Sequence, residues 1–346
     1  MDLDLIWQDY GLDRLEEGIA RLFPEKSLNL EQLLSQIMSG DIFGAIAALF
    51  RGSMSDFMGQ LEGMKNVFVW LLLLGIVSAL MTHFVDIFNK RQVADMGFYF
   101  MYLLFSTVLL KCFVQAADTA GQAMGNVILF VKLLVPAYLL SVGVSSGSIT
   151  AGVSQQIMLF AIYGVETILA AFILPLIYSY VMLSVVNGIW IEEKLNALID
   201  LLGKAIGWTL KGALGIMTGI SLFQRMIGPV VNSARNSVLQ KLITAIPGVG
   251  DAAGGVAELV LGSAVVIRNS IGAVLLILLL LLCAMPLCKI ALISGLLKAA
   301  AAFMGIVSDR RITSCTDRTG NAGLLLLRTA GTAMLLFLIA IAVTAL

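Results

Sequence analysis

Charged side chains are scarce in this chain of 346 residues, and so are the residues that build most metal and redox sites. Asp, Glu, Lys and Arg together make up 13% of the sequence, about half of what soluble domains carry. The chain has one histidine and four cysteines, with no C-x-x-C spacing, so we expect neither a zinc site nor a disulfide framework. The 22 basic and 22 acidic residues balance and are spread over many segments, which argues against nucleic acid as a partner.

The motifs of soluble catalysis are missing as well. The sequence has no Gly-rich phosphate loop, H-E-x-x-H, G-x-S-x-G or dinucleotide fingerprint. We therefore expect no enzymatic activity, no cofactor and no metal, so any energy that the protein uses has to come from a partner or a gradient. Apolar residues make up 59% of the chain, and this composition predicts an all-α, polytopic membrane protein.

Charge and hydropathy divide the chain into four regions. Residues 1–66 are acidic and repeat leucine and isoleucine at helical spacing, which predicts a small water-facing region of amphipathic helices. Residues 67–201 hold about four predicted transmembrane helices. The Gly-rich segments of 202–268 are amphipathic, re-entrant or transmembrane, and 269–346 holds two transmembrane helices with a basic loop.

Six apolar windows are long enough to cross about 30 Å of hydrocarbon as helices. They are 67–88, 97–117, 123–144, 157–186, 271–293 and 322–346. Two weaker windows, 202–224 and 252–268, contain charged residues and cross, re-enter or lie flat. We favour an arrangement in which both count as membrane elements.

Basic residues predict the orientation. Lys90 and Arg91 follow the first window, whereas the loop expected at 118–122 has no basic residue. The positive-inside rule then places the acidic N-terminal region outside the cytoplasm, and alternation also places 187–201 outside. If both weak windows cross, two basic segments fall inside: 225–241 and 298–318.

An extracytoplasmic N-terminus has a consequence for targeting. The first 26 residues hold no continuous apolar stretch, so they cannot act as a signal peptide. We therefore expect that a signal peptide has been removed ahead of this segment.

Charged residues at membrane depth are candidates for function, because an unpaired charge there costs about 2.5 kcal/mol or more. They are Lys111, Lys132, Glu166, Lys204 and Lys211, with His83 and Asp86 at the inner end of the first window. Lys132 and Glu166 lie in consecutive predicted spans and can pair across a hairpin, either to fix packing or to line an aqueous path or proton relay. His83 and Asp86 share a helix face, either as ordinary interfacial groups or as a pH-sensitive pair.

Prolines and glycines interrupt the apolar segments. Pro136, Pro175 and Pro286 each remove a helical hydrogen bond, giving either structural kinks or breaks that line a pathway. Small-residue pairs with G-x-x-x-G spacing mark either helix packing within the chain or a subunit interface. Two of these pairs are Gly121/Gly125 and Gly215/Gly219.

Three strings along the chain carry a family resemblance. They are LLVPAYLLSVGVSSGSITAG at 133–152, IPGVGDAAGGVAELVLGSAVVIRNSIG at 246–272 and LLKAAAAFMGIVSDRRITSC at 296–315. In this order they resemble the stage III sporulation protein AE family of endospore-forming bacteria. The positions that look like recurring ones of the family are Pro136, Ser145, Ser146, Gly147, Pro247, Gly250, Arg268, Asn269, Gly272, Asp309 and Arg311.

The resemblance implies a location and a set of partners. It implies a multi-pass protein of the mother-cell membrane around the forespore, in the channel complex that joins the two cells. Its neighbours there would be a secretion-type ATPase, ring-forming proteins and small membrane subunits. The acidic N-terminal region would face the ring proteins in the intermembrane space. The basic segments would face anionic lipid and the ATPase.

Three functions are open on the sequence alone. We favour a membrane-embedded subunit of a secretion-like channel, with 202–268 in the transport path, and such a chain lines a pore more readily as a homo-oligomer than alone. One alternative is an autonomous secondary transporter for a small solute, with Lys132 and Glu166 as its coupling pair. The other is a non-conducting scaffold for the channel proteins.

Overall fold

The chain is helical throughout its computed structural model, which describes residues 59, 65–66, 68–77, 79–80, 91–146, 160–190, 194–244, 277, 279–280 and 282–345. No strand occurs among these residues, and four of their helices are long and apolar enough to cross a membrane. The predicted all-α, polytopic class is confirmed.

Six helices account for most of the described residues. α1 is the short apolar helix Phe68–Val77, α2 is Arg91–Ser146, α3 is Phe160–Asn187, α4 is Asn196–Thr244, α5 is Leu282–Met304 and α6 is Arg310–Ala345. The four candidate spans lie in α2, α3, α5 and α6.

Helix α2 departs most from the sequence prediction. It runs for 56 residues without a break, so the loop expected at 118–122 between two spans is wrong. The inner face of this segment explains why the helix continues. It carries a set of buried alanines, and alanine is the strongest helix former. They are Ala116, Ala117, Ala120 and Ala123.

Because residues 91–146 form one helix where two spans were expected, the chain crosses the membrane once less here. The segment that follows α3 therefore lies on the other side from the one predicted. The Tyr102 hydroxyl of α2 donates to the Val185 carbonyl near the end of α3 at 2.7 Å. Arg318 of α6 donates to Asn196 at the start of α4 at 2.8 Å. The start of α2, the α3–α4 connection and the start of α6 therefore share one end of the bundle, here called the polar end. The prediction that 187–201 and 298–318 lie on opposite sides was wrong.

Helix α4 leads away from the polar end and continues for 49 residues, through the weak window 202–224. At 1.5 Å per residue, Arg225 lies about 44 Å beyond Asn196 along the helix axis. That distance exceeds the thickness of the hydrocarbon core, about 30 Å. The segments 225–241 and 298–318 are therefore far apart, so the placement on one side that was expected if both weak windows cross does not hold.

Pro175 follows a change of helix type in α3. Leu169–Ile173 form a π-helix whose last bond runs from the Leu174 N–H to the Leu169 carbonyl, and the α-helix resumes over Leu174–Asn187. Because Pro175 has no N–H, the carbonyl of Ala171 lacks its usual helical donor. The α-helix continues through the other two prolines, Pro136 and Pro286. The helix breaks considered at these two positions therefore do not occur.

Helix α6 forms the centre of the bundle and packs against α2, α3 and α4. Phe130 of α2 meets Phe337 of α6 edge to face, with ring centroids 5.5 Å apart. Helices α5 and α6 approach closely where Gly323 leaves room for Ser294. The Ser294 hydroxyl donates to the Ile290 carbonyl, so this buried hydroxyl is satisfied within its own helix.

Candidate functional site

A network of amides and charges closes the polar end. Nη2 of Arg318 donates to Oδ1 of Asn196 at 2.8 Å and lies 4.0 Å from Oδ1 of Asp200. Nδ2 of Asn187 donates to the same Asn196 oxygen at 2.7 Å, and Oδ1 of Asn187 accepts the Leu195 N–H at 2.8 Å. The Arg318 side chain is only 15% exposed. The network therefore fixes the α3–α4 connection against α6.

Residues of α6 make three further contacts at this end. Asp309 accepts the Arg311 N–H on Oδ1 at 2.8 Å and so caps the helix start. The Arg311 guanidinium carbon lies 3.5 Å from the centroid of the Phe98 ring, which holds α2 against α6. Further along α6, Asp317 forms an ion pair with Lys298 of α5 at 2.6 Å.

Asp309 and Arg311 are the family-like positions whose side chains the structure describes. Ser145 and Ser146 are the last residues of α2, and Pro136 lies within the same helix. The other family-like positions and two charged candidates lie outside the described residues: Gly147, Pro247, Gly250, Arg268, Asn269, Gly272, His83 and Asp86.

Lys132 and Glu166 do not pair. Nζ of Lys132 lies 5.2 Å from the centroid of the Tyr163 ring, on the exposed side of the bundle. Glu166 is 1% exposed, and neither carboxylate oxygen has a hydrogen-bond partner among the described residues. The pairing expected across a hairpin is wrong because the two side chains face different surroundings. Glu166 faces the interior, within electrostatic range of Cys283.

A stripe of polar side chains runs along the outer face of α2, with members three or four residues apart. The members of this α2 stripe are Thr107, Lys111, Gln115, Asp118 and Gln122, all exposed. The stripe covers about 22 Å of helix, whereas the opposite face is buried and mostly apolar. Sequence reasoning singled out Lys111 alone, although the helical spacing of the others was visible, because 118–122 was assigned to a loop.

Helix α4 also carries charge on its outer face. Lys204 and Lys211 are seven residues apart and both exposed. Ile206, Leu210 and Met217 lie on the opposite face and are buried in the core. The two predicted lysines are therefore neither buried nor ion-paired within the part of the chain that the structure describes.

The sequence is similar to that of a known protein family. The family profile of stage III sporulation protein AE matches residues 28–346. The chain belongs to this family. Stage III sporulation protein AE of Bacillus subtilis (strain 168) is 22% identical over 249 residues, which cover 71% of this chain and 62% of the relative. The chain thus spans less than two thirds of that relative's length. No solved structure matches it.

Family membership confirms the resemblance carried by the three strings. Together with the four apolar helices, it identifies a sporulation protein with transmembrane helices. The polar end, the α2 stripe, the outer lysines of α4 and the buried Glu166 are the polar features of the described bundle.

Replacing Asn187 with alanine tests the network at the polar end. We expect Asn187→Ala to lower the free energy of unfolding by about 1–3 kcal/mol, because it removes a buried side chain and leaves the partly buried Leu195 N–H without its acceptor. The matched control is Asn321→Ala, since Asn321 bonds Asp317 from a partly exposed position. Thermal unfolding in detergent measures both variants, and equal midpoints for the two would contradict the account.

Glu166→Leu tests whether the buried carboxyl stabilises the bundle. Since neither oxygen has a described partner, removing the polar group should leave the thermal midpoint unchanged or raise it. Glu166→Gln is the control that keeps a polar group of similar size. A midpoint that falls for Leu and is kept by Gln would show that Glu166 holds the helices together.

Proposed function

We propose that the chain is a membrane-embedded subunit of the secretion-like channel between mother cell and forespore, and that it borders the transport path. The observation that carries this proposal is the α2 stripe. Lys111 and Asp118 lie in a candidate span but point away from the chain's own core. Charged side chains within a membrane face other protein or water, because hydrocarbon does not solvate them.

Helix α3 provides the contrast within the same bundle. Its outer face carries large apolar side chains such as Phe172 and Met182, which are 66% and 53% exposed. That face suits lipid, whereas the outer faces of α2 and α4 carry charged side chains among their exposed apolar ones. A chain with both kinds of surface fits the wall of an assembly, with lipid on one side and protein or water on another.

The polar end fits the mother-cell cytoplasm. Its basic residues include Arg310, Arg311 and Arg318, and basic residues favour the cytoplasmic side. With α2 counted as one crossing, this assignment also agrees with Lys90 and Arg91. The channel's secretion-type ATPase would meet this end, and the acidic region 1–66 would meet the ring-forming proteins on the opposite side.

The two alternatives make different demands on the residues. The hypothesis of a secondary transporter expected Lys132 and Glu166 to act as a coupling pair, and they do not pair. The remaining support for this hypothesis is the buried Glu166. It predicts gradient-driven solute uptake by the purified chain in liposomes. A scaffold needs the polar end for assembly but does not need water beside α2.

Thiol labelling tests whether water reaches the outer faces of α2 and α4. We expect Lys111→Cys and Lys204→Cys to react with a membrane-impermeant maleimide in membranes of sporulating cells. Phe172→Cys and Met182→Cys, on the face assigned to lipid, are the matched controls and should not react. The background carries Cys288→Ser, because Cys288 is exposed. Unreactive thiols at both 111 and 204 would contradict a path beside these helices.

A further inference from the structure

We propose that the α2 stripe of one copy docks on the outer face of α4 in a second copy, where Asp118 pairs with Lys211 of the neighbour. Asp118 and Lys211 are exposed, and neither belongs to an ion pair among the described residues. The inference rests on the proposed function only in placing the chain in an assembly.

The two residues lie at the same depth below the polar end. Tyr102 of α2 and Asn196 of α4 are both bonded to the last turn of α3, at Val185 and Asn187. Asp118 lies about 24 Å beyond Tyr102, and Lys211 lies about 22 Å beyond Asn196.

Contacts deeper in the bundle give the same register. Phe113 of α2 packs on Tyr178 of α3, with ring centroids 5.2 Å apart, and Gly203 of α4 lies against the ring of Tyr180. Asp118 is about 7.5 Å beyond Phe113 along its helix, and Lys211 is about 12 Å beyond Gly203. Since Tyr180 is about 3 Å nearer the polar end than Tyr178, the two charges differ in depth by less than one helical turn.

The two outer faces point to different sides of the bundle. Helices α2 and α4 both pack on α6 and α3, which separate them. Contact between the α2 face of one copy and the α4 face of the next is therefore heterologous. Repeating it with all copies in the same membrane orientation gives a ring or an open row of subunits, and a ring is the closed form that can surround a path.

Glycines allow these two helices to approach closely. Gly121 and Gly125 of α2 and Gly215 and Gly219 of α4 have open space where a Cβ atom would lie, so neither G-x-x-x-G pair packs closely on another described residue. Gly125 lies about 34 Å beyond Tyr102, and Gly219 lies about the same distance beyond Asn196. The small residues therefore coincide in depth when Asp118 meets Lys211, as expected for a close helix contact.

The same register brings Lys111 level with Lys204, and these like charges repel. Both are about 10 Å nearer the polar end than the proposed ion pair. Side chains on α2 and α4 point back toward their N-termini, which lie at the polar end, so both lysines extend toward water. The proposed contact between copies is thus tight at Asp118 and Lys211. It is open to water at Lys111 and Lys204, which lie nearer the polar end.

Cross-linking between copies is the first test. Cells that make one tagged copy with Asp118→Cys and one untagged copy with Lys211→Cys, both in the Cys288→Ser background, are treated with a short bis-maleimide. We expect a tagged–untagged dimer, and a ladder of higher species when each copy carries both cysteines. Met182→Cys paired with Lys211→Cys is the matched control and should give neither. Cross-linking of the Asp118→Cys copies to each other alone, or to another protein, would overturn the proposal.

Charge exchange is the second test and does not depend on reagent geometry. We expect Asp118→Lys or Lys211→Asp alone to lower the number of heat-resistant spores by about tenfold or more at normal protein level, and the double exchange to restore it. No rescue together with no cross-link would overturn the docking. Labelling at 111 and 204 would still support the channel function in that case, so the two failures are distinguishable.

Discussion

Continuity of α2 through residues 118–122 is the constraint on which the rest of the architecture depends. The buried alanines of this segment keep it helical and let the helix pass close to its neighbours. Because the chain does not turn back there, the α3–α4 connection and the start of α6 reach the same end as the start of α2. The amide and charge network between Asn187, Asn196 and Arg318 exists only in that arrangement.

Because α2 is continuous, residues 118–122 belong to a helix surface and not to the predicted loop. In a loop, Asp118 and Gln122 would be solvated and would need no explanation. On an unbroken helix they line up with Lys111 on one outward face, within a segment apolar enough to span a membrane. Charged side chains on the outer face of a membrane-spanning helix require a polar neighbour in the membrane. The proposed contact with α4 of a second copy supplies that neighbour.

Sequence patterns predicted the properties that depend on composition. They did not predict which way each side chain faces around its helix axis. Apolar windows predicted a polytopic, all-α membrane protein, since length and hydropathy decide whether a helix can span, but they did not predict that two windows form one helix. Polar residues at 118–122 look alike in a loop and on an exposed helix face, so the pattern could not separate the two. The Lys132 and Glu166 pairing failed because an apolar helix has little periodicity to show which way each side chain faces. The bond between Arg318 and Asn196 joins residues far apart in the sequence and depends on tertiary contact alone.

The most direct test of the central claim, that this chain works as part of an assembly, is its purification from sporulating cells in mild detergent through a tag on the full chain. Particle mass and co-purifying proteins are the readouts. The account predicts a large particle that holds several copies of the chain together with other sporulation channel proteins. A lone monomer that contains all of the tagged protein would contradict it.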